Sequence, residues 1–369
     1  MRIQKATSDY EAWLRTHLPL LSGDLAKKHL EMASPTGPFA FFRATFYRWM
    51  TLWPKVCRNL RRAPTVLAVG DLHVENFGTW RDEEGRLIWG INDFDEAFPL
   101  PYTLDLVRLA ASAILAIGED DLWLDPEDAI EAFLSGYTAA LTTGGSIFVL
   151  SEHNAWLRSM VSGDLRDPVA FWHKIKRWPN VTRIPREARV GIARLLPKDA
   201  QPLRIVARQA GLGSLGRERY VMLANWHGAL IAREAKALAP SACIWAGFKA
   251  PKPGVIHYDQ ILHSAIRACD PHVAVHGNWL VRRLAPDCSR VDLAAHKKNA
   301  DEELRLMEAM GHETANVHLG TPKIARSILK DLQSHPRDWL SRAAHAMVER
   351  VREDWKQWRE TNATPPAKA

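Results

Sequence analysis

The 369-residue sequence has no long apolar run. Its start, MRIQKATSDYEAWL, lacks the apolar core of a signal peptide, and its longest apolar stretch, LVRLAASAILAIG, is short and carries Arg108. A membrane-spanning helix needs about 20 predominantly apolar residues. The sequence therefore predicts neither export nor insertion into a membrane, and we expect a cytoplasmic protein.

Cysteine is also scarce, and no internal repeat is visible. The only four cysteines are scattered without any CxxC spacing: Cys57, Cys243, Cys269 and Cys288. Structural zinc sites and disulfide frameworks both need closely spaced or paired cysteines. Neither is predicted, and the low cysteine content fits a reducing compartment.

Charge is dispersed, with a net value of +7 and no basic helix interleaved with aromatic residues. This argues against a nucleic-acid partner. A moderately basic surface also suits an enzyme that handles phosphorylated or acidic substrates. Because 47% of the residues are apolar, the chain can bury a substantial core.

Local patterns predict an α+β protein. The first fifty residues are predicted to be helical, with Ser8 or Asp9 capping one helix and FAFFRATFYRWM forming another. Strands are predicted at TVLAVG, NFGTW and LIWGIND, followed by helices at 103–117 and 126–141. A strand-rich block begins near residue 203, and from about 293 the chain is again predicted to be helical.

Polar residues follow two of the predicted strands directly. GDLHVEN places Asp71 and Asn76 five residues apart after one strand, and INDFDEA ends another strand with Asp93 and Asp95. If these strand ends lie side by side, the side chains converge. Carboxylate and amide oxygens are ligands that suit Mg²⁺, and a further carboxylate can deprotonate an attacking hydroxyl. A loop with GD and N alone is more often only a turn.

This order of residues resembles the catalytic core of protein kinases, in which an Asp base precedes an Asn by five residues and a metal-binding Asp lies on the next hairpin. The run GDLHVENFG, INDFDEA and LDLVRLA is still more similar to the aminoglycoside and choline phosphotransferases. The resemblance implies that Asp71 is the catalytic base, that Asn76 and Asp93 bind Mg²⁺, and that Asp105 braces the loop from the following helix.

The chain also resembles a bacterial family, domain of unknown function 2252, in SPTGPFAFFRA, GDLHVENFG, NDFDEAFPLPYTLDLVRLAAS and GLGSLG. Two positions depart from the kinase pattern: Val69 replaces a common His, and DFD replaces DFG. His73 is either a site residue or a brace for the loop backbone. Asp95 is either a second metal contact or a turn carboxylate. Arg43, in an aromatic helix, is expected to pair near Asp71.

A candidate nucleotide-binding loop comes later in the sequence. GLGSLG contains Gly211, Gly213, Ser214 and Gly216 and lies between two strand-like segments, whereas a dinucleotide-binding loop would lead into a helix. The strand ALIAREAKAL then offers Arg233 and Lys236 for the phosphates of ATP, with Glu234 as an ion-pair partner. Arg233 and Lys236 lie on opposite faces of a regular strand, and we favour Lys236.

The catalytic loop thus precedes the glycine-rich loop, which reverses the usual kinase order. We predict a two-lobed, circularly permuted kinase-like fold. Its helical catalytic lobe spans 1–200, with the catalytic loop at 68–96, and resumes at 291–369, ending in a frayed tail. Residues 201–290 form a β-rich nucleotide-binding lobe inserted between these two parts.

The sequence therefore predicts an enzyme that uses ATP and Mg²⁺ to phosphorylate a hydroxyl of an unidentified small molecule or protein. Three alternatives remain: a nucleotide-binding pseudokinase, a kinase-like protein that transfers AMP, and a metallophosphoesterase. The last of these takes GDLH and GDLRD at 163–167 as metal motifs. It leaves INDFDEA and GLGSLG unexplained.

Overall fold

The structure is a computed structural model that describes residues 1–119, 121–151, 153–161, 167–250, 252, 254–288 and 299–362. Its helices are α1 (Ile3–Arg15), α2 (Ser22–Met32), α3 (Phe39–Ala44), α4 (Phe46–Val56), α5 (Tyr102–Ile117), α6 (Pro126–Thr143), α7 (Ala155–Val161), α8 (Pro168–Lys176), α9 (Arg186–Leu195), α10 (Ala242–Trp245), α11 (Tyr258–Ser264), α12 (Ala300–His318), α13 (Ala325–Ser334) and α14 (Trp339–Asn362). Its strands are β1 (Thr65–Ala68), β2 (Phe77–Arg81), β3 (Leu87–Ile91), β4 (Phe98–Pro101), β5 (Phe148–Val149), β6 (Gln201–Ala207), β7 (Arg219–Trp226), β8 (Ala229–Ala237), β9 (Val273–His276) and β10 (Trp279–Leu284). The predicted α+β class is confirmed.

Helix α5 lies at the centre of the helical part. Every residue from Tyr102 to Ala116 is buried, which explains why this helix is apolar on nearly all sides. Helices α3, α6, α12 and α14 pack against it and share one continuous core with α1 and α4. Within the described residues, no helix combines the length and apolarity needed to cross a bilayer.

Helices α6 and α12 approach each other unusually closely. A Cβ atom at Gly311 would fall on the backbone carbonyl of Phe133, and one at Gly136 would fall on that of Glu308. Backbone atoms cannot move aside as a flexible side chain can. The two glycines therefore set the distance between these helices.

We expect Gly311→Ala to lower the free energy of unfolding by about 1–3 kcal/mol, because an added methyl group must push α6 and α12 apart. Gly118→Ala is the matched control, since its nearest neighbour would lie at an ordinary 3.4 Å. Urea denaturation of both variants measures the difference. Equal stability of the two would show that the helix pair is not constrained at Gly311.

The largest sheet has five antiparallel strands in the order β6-β7-β8-β10-β9. One face packs against α9 through Ala188 and Ile192. The other face packs partly against Ile175 of α8. Its remaining area carries the buried charged side chains of Arg219, Glu234 and Lys236 and the partly buried side chain of Arg282. Two smaller sheets, β1-β4 and β2-β3-β5, belong to the segment that holds the acidic motifs.

Two helix predictions differ from the structure, one in its first residue and one in its continuity. Helix α1 begins at Ile3 rather than at Ser8 or Asp9, because its buried stripe already includes Ile3 and Ala6. The predicted helix FAFFRATFYRWM is interrupted at Thr45, whose hydroxyl donates to the Phe41 carbonyl at 2.7 Å. The predicted frayed tail, TNATPPAKA, begins at Thr361, but helix α14 continues to Asn362. The rest of this tail lies outside the described residues.

Candidate functional site

The loop that follows β1 is hydrogen-bonded to side chains on one face of α5. Asp105, Arg108 and Ser112 are three and four residues apart, so they share a face of an otherwise apolar helix. Asp105 accepts hydrogen bonds from the backbone amides of Val69 at 2.7 Å and Gly70 at 2.9 Å. Ser112 accepts one from the amide of Val74 at 3.0 Å. The helix therefore fixes the loop backbone on both sides of Asp71.

Arg108 holds the side chain of Asp71. The guanidinium is fully buried, and its Nε donates to Asp71 Oδ1 at 2.9 Å, with a second, closer hydrogen bond from Nη2 to the same oxygen. It also stacks on Phe42 at 4.0 Å from the ring centroid. Burial raises the pKa of Asp71, and Arg108 only partly offsets this effect. The opposite oxygen, Oδ2, is not bound by Arg108.

Asn76 connects this loop to the second acidic motif. Its side-chain Nδ2 donates to the Asp71 carbonyl at 2.6 Å, and its own carbonyl accepts from the Asn92 amide at 3.1 Å. The predicted mechanism of convergence is wrong, because β1 and β3 belong to different sheets. The motifs meet instead through this contact between loops. The nearby charge of Asp93 raises the pKa of Asp71, as burial does.

Lys236 lies against both carboxylates of the second motif. Its Nζ is 3.3 Å from Oδ1 and from Oδ2 of Asp93, and it forms a closer ion pair with Oδ2 of Asp95. Against the opposing effect of burial, the charges of Lys236 and Arg282 hold the pKa of Asp93 below its usual range. Burial and the Asp93 charge raise the pKa of Asp95. The two carboxyls thus differ in their affinity for a proton.

Within the part of the chain that the structure describes, the acidic motif has one oxygen without a partner and one partly exposed carboxylate. Asp95 Oδ1 is buried and has no hydrogen-bond partner, and the Asp93 side chain is 42% exposed. Among the described residues, no group of three or more His, Cys, Asp or Glu side chains is placed to hold a metal ion. The predicted metal site therefore includes a donor of another type, the amide oxygen of Asn76.

The glycine-rich loop connects β6 to β7 and reaches the loop that holds Asp71. A Cβ atom at Gly213 would lie 3.0 Å from the Arg43 carbonyl and 3.5 Å from Asp71 Oδ2. The hydroxyl of Ser214 accepts from Arg219 at 2.8 Å. Gly211 and Gly216 flank this tip with positive φ angles of 77° and 98°. The loop thus lies directly over the predicted catalytic carboxylate.

Arg217 follows the glycine-rich loop and joins it to the acidic motif. The guanidinium is buried and lies 3.5 Å from Asp95 Oδ2 and 3.4 Å from Glu96 Oε1. Glu96 in turn accepts from the hydroxyl of Ser241 at 2.9 Å and the amide of Ala242 at 2.6 Å. Burial raises the pKa of Glu96 to about 7. Arg217 therefore connects the glycine-rich loop to the acidic motif that contains Asp93 and Asp95.

The two candidate phosphate contacts on β8 point to opposite faces of the sheet. Lys236 meets the acidic motif, whereas Arg233 donates to the Leu195 carbonyl at 2.9 Å on the face covered by α9. Glu234 does form ion pairs, as predicted, but with neither Arg233 nor Lys236. Glu234 is fully buried and binds three other guanidiniums, those of Arg208, Arg219 and Arg282.

The other two predicted residues, His73 and Arg43, both contact Glu75 in the loop that holds Asp71. His73 is buried, and its Nδ1 accepts from the Glu75 amide at 3.2 Å, so it supports the loop backbone. Arg43 forms an ion pair with Glu75, next to the carbonyl that approaches Gly213. The second motif of the phosphoesterase alternative, GDLRD, lies outside the described residues except for Asp167.

Sequence reasoning missed Arg108, Arg217 and the arginines around Glu234. The spacing from Asp105 to Arg108 and Ser112 on one apolar helix could have indicated Arg108. Alternation along β7 and β10 could have placed Arg219 and Arg282 on the same face as Lys236. No local signal identifies Arg217.

A protein-family model matches residues 22–163 of the chain. No curated protein matches the chain significantly, and neither does any solved structure. Asp71, Asn76, Asp93, Asp95 and Arg108 lie within the segment that matches, whereas the glycine-rich loop and Lys236 lie beyond it. That segment, residues 22–163, is similar to the family described as "Uncharacterized protein conserved in bacteria (DUF2252)".

Proposed function

We propose that the protein is a kinase-like phosphotransferase that moves the γ-phosphoryl group of ATP to a hydroxyl group of an acceptor. One observation carries this proposal. The glycine-rich loop, Lys236 and the two acidic motifs lie close together, although Lys236 and Asp93 are 143 residues apart in sequence. A set of unrelated turns would have no reason to converge in this way.

The roles of these parts follow the protein-kinase pattern. In protein kinases a glycine-rich loop covers the phosphates, a Lys on the third strand approaches them, and separate Asp residues act as base and metal ligand. Here the glycine-rich loop follows the first strand of the five-stranded sheet, and Lys236 lies on the third strand in chain order, β8. We propose that the sheet is the nucleotide lobe of a circularly permuted kinase fold, inserted between 1–200 and 291–369.

The donor atoms present fit a magnesium ion. Asp95 has a buried oxygen without a partner, Asp93 is partly exposed, and the amide oxygen of Asn76 is not used in the bond to Asp71. Mg²⁺ prefers such oxygen ligands and usually keeps water or phosphate in its other positions. When bound, the ion would neutralise charge on the phosphates. Lys236 and the amides of the glycine-rich loop would hold the same phosphates.

Asp71 would act on the acceptor. The proton of the acceptor hydroxyl moves to Asp71 Oδ2, because Arg108 occupies Oδ1. The acceptor oxygen then forms a bond to the γ-phosphorus, the bond from that phosphorus to the bridging oxygen breaks, and ADP leaves with the electron pair. The raised pKa of Asp71, caused by burial, makes this carboxylate a better proton acceptor than an exposed one.

A thermal melt with and without ATP and MgCl₂ tests the nucleotide site. At about a hundred times the dissociation constant, a ligand should stabilise the native state by roughly 2.7 kcal/mol. We expect the wild type to need both ATP and Mg²⁺ for its full shift, and Asp93→Asn to lose the Mg²⁺-dependent part. Asp338→Asn, which neutralises an exposed carboxylate paired with Arg342, should behave as wild type.

Two results would contradict this prediction. The absence of any shift in the wild type at saturating nucleotide would remove the nucleotide site. An unchanged Mg²⁺-dependent shift in Asp93→Asn would remove Asp93 from the metal site. Once an acceptor is found, release of ADP supports phosphoryl transfer, whereas release of pyrophosphate would identify AMP transfer instead.

A further inference from the structure

A buried lysine outside the predicted nucleotide lobe reaches the tip of the glycine-rich loop. Lys28 lies on α2, at the same spacing as the buried residues Leu25 and Met32. Only 5% of Lys28 is exposed. Its Nζ donates to the Gly213 carbonyl at 3.3 Å, across 185 residues of sequence. Helix α2 thus places a positive charge at a loop that belongs to the large sheet.

This charge is poorly compensated. Within the described part of the chain, no carboxylate lies within 4.0 Å of Lys28 Nζ, and Gly213 is its only hydrogen-bond acceptor. The nearby carboxylate of Glu11 is bonded to His29 at 2.6 Å. A buried ammonium normally needs a carboxylate or several acceptors, because its loss of hydration is costly. The charges of Glu11, Asp71 and Glu96 act on Lys28 only from a distance, so among the described residues its ammonium has no anion in direct contact.

Gly213 is a common neighbour of Lys28 and Asp71. Its carbonyl accepts from Lys28, and a Cβ atom on the same residue would lie 3.5 Å from Asp71 Oδ2. Burial lowers the pKa of Lys28 to about 8, so the ammonium form still predominates at neutral pH. An anion held between the glycine-rich loop and Asp71 would therefore lie close to this charge.

We propose that Lys28 is a phosphate-binding residue, whose ammonium contacts the terminal phosphate of the nucleotide at the tip of the glycine-rich loop. This inference rests on the proposed function. It assigns the N-terminal helices a part in binding the donor, in addition to the five-stranded sheet. It also gives the two lysines different roles, because Lys28 would bind the terminal phosphate and Lys236 the phosphates nearer the metal ligands.

The test compares ATP with ADP, each with Mg²⁺, by isothermal titration calorimetry. Lys28→Met should weaken ATP binding roughly ten- to hundredfold, the usual contribution of a hydrogen bond to a charged group, and leave ADP binding unchanged. Lys28→Arg should retain most of the preference for ATP. The matched control is Lys27→Met, since Lys27 is the adjacent, exposed lysine and bonds Gln209 at 3.1 Å; both affinities should stay at wild-type values.

Three outcomes would overturn the assignment. If Lys28→Met keeps the wild-type preference for ATP over ADP, Lys28 does not contact the terminal phosphate. If it weakens both nucleotides equally, Lys28 only positions the glycine-rich loop. If the wild type binds neither nucleotide, the proposed function fails together with this inference. Unchanged ATP preference with intact binding is therefore distinguishable from failure of the nucleotide site.

Folding of the variant does not limit the test. Replacing a buried charge by an apolar chain of similar length removes a desolvation cost, so Lys28→Met is expected to melt at or above the wild-type temperature.

The wild-type protein offers a second measurement, acetylation of lysines with acetic anhydride followed by mass spectrometry. ATP, but not ADP, should protect Lys28, with Lys27 in the same peptide as the internal reference. Equal protection by ADP would contradict the proposal.

Discussion

Replacing Asp71 by Asn is expected to lower the rate of phosphoryl transfer by roughly 10²–10⁴-fold, the usual contribution of a general base. An amide at this position cannot accept the acceptor proton. It also leaves the buried guanidinium of Arg108 without a charged partner, which costs about 3–5 kcal/mol of stability. Loss of activity therefore has to be measured on protein shown to be folded, with ATP binding determined in parallel.

A double variant separates the two effects. Arg108→Met combined with Asp71→Asn removes both charges, so we expect most of the stability to return while transfer remains lost. Arg108→Met alone leaves Asp71 unpaired but chemically able to accept a proton. Full activity in Asp71→Asn, or in the double variant, would show that another group is the base.

Replacing Glu234 by Gln should lower the free energy of unfolding by about 3–5 kcal/mol at pH 7, because it leaves three guanidiniums facing a neutral, fully buried side chain. Glu353→Gln is the matched control. Glu353 forms its ion pair with Arg350 at 2.7 Å, the same distance as Glu234 to Arg208, but it is exposed. Its loss should cost less than about 1 kcal/mol.

The pH dependence of this difference has a definite sign. Burial acts to raise the folded-state pKa of Glu234. The three guanidiniums outweigh this effect and hold that pKa well below the ordinary value. The stability that Glu234 contributes is therefore complete above the unfolded-state pKa and is lost as the pH falls toward the folded-state pKa. Urea denaturation of wild type and Glu234→Gln should show a difference that shrinks below about pH 4, near the ordinary Glu pKa. A constant difference between pH 7 and pH 3 would contradict this account.

Features encoded within short segments could be predicted from the sequence. The acidic motifs, the glycine-rich loop between two strands and the α+β class all depend on local pattern. Strand alternation separates Lys236 from Arg233, and the two side chains do lie on opposite faces of β8. These inferences needed no knowledge of how distant segments pack.

Contacts between distant segments could not be predicted. The pairing of Glu234 with Arg282 depends on β10 lying beside β8, and the contact of Lys28 with Gly213 joins α2 to a different part of the fold. A window of sequence shows a charged residue at a buried helical position but not the partner that it will meet. The same reason explains why the sequence wrongly predicts β1 and β3 as neighbours: their patterns indicate strands, not which sheet each joins.

One buried contact has a consequence for how the chain is synthesised. Asp105, which holds the loop amides beside Asp71, also meets His318 at 3.0 Å, and His318 in turn meets Tyr137 at 2.7 Å. His318 is separated from Asp105 by 213 residues. A growing chain that has emerged as far as Tyr137 already contains both acidic motifs. It still lacks His318, whose imidazole contacts both Asp105 and Tyr137. On the ribosome we therefore expect the loop to reach its final order only after α12 has emerged.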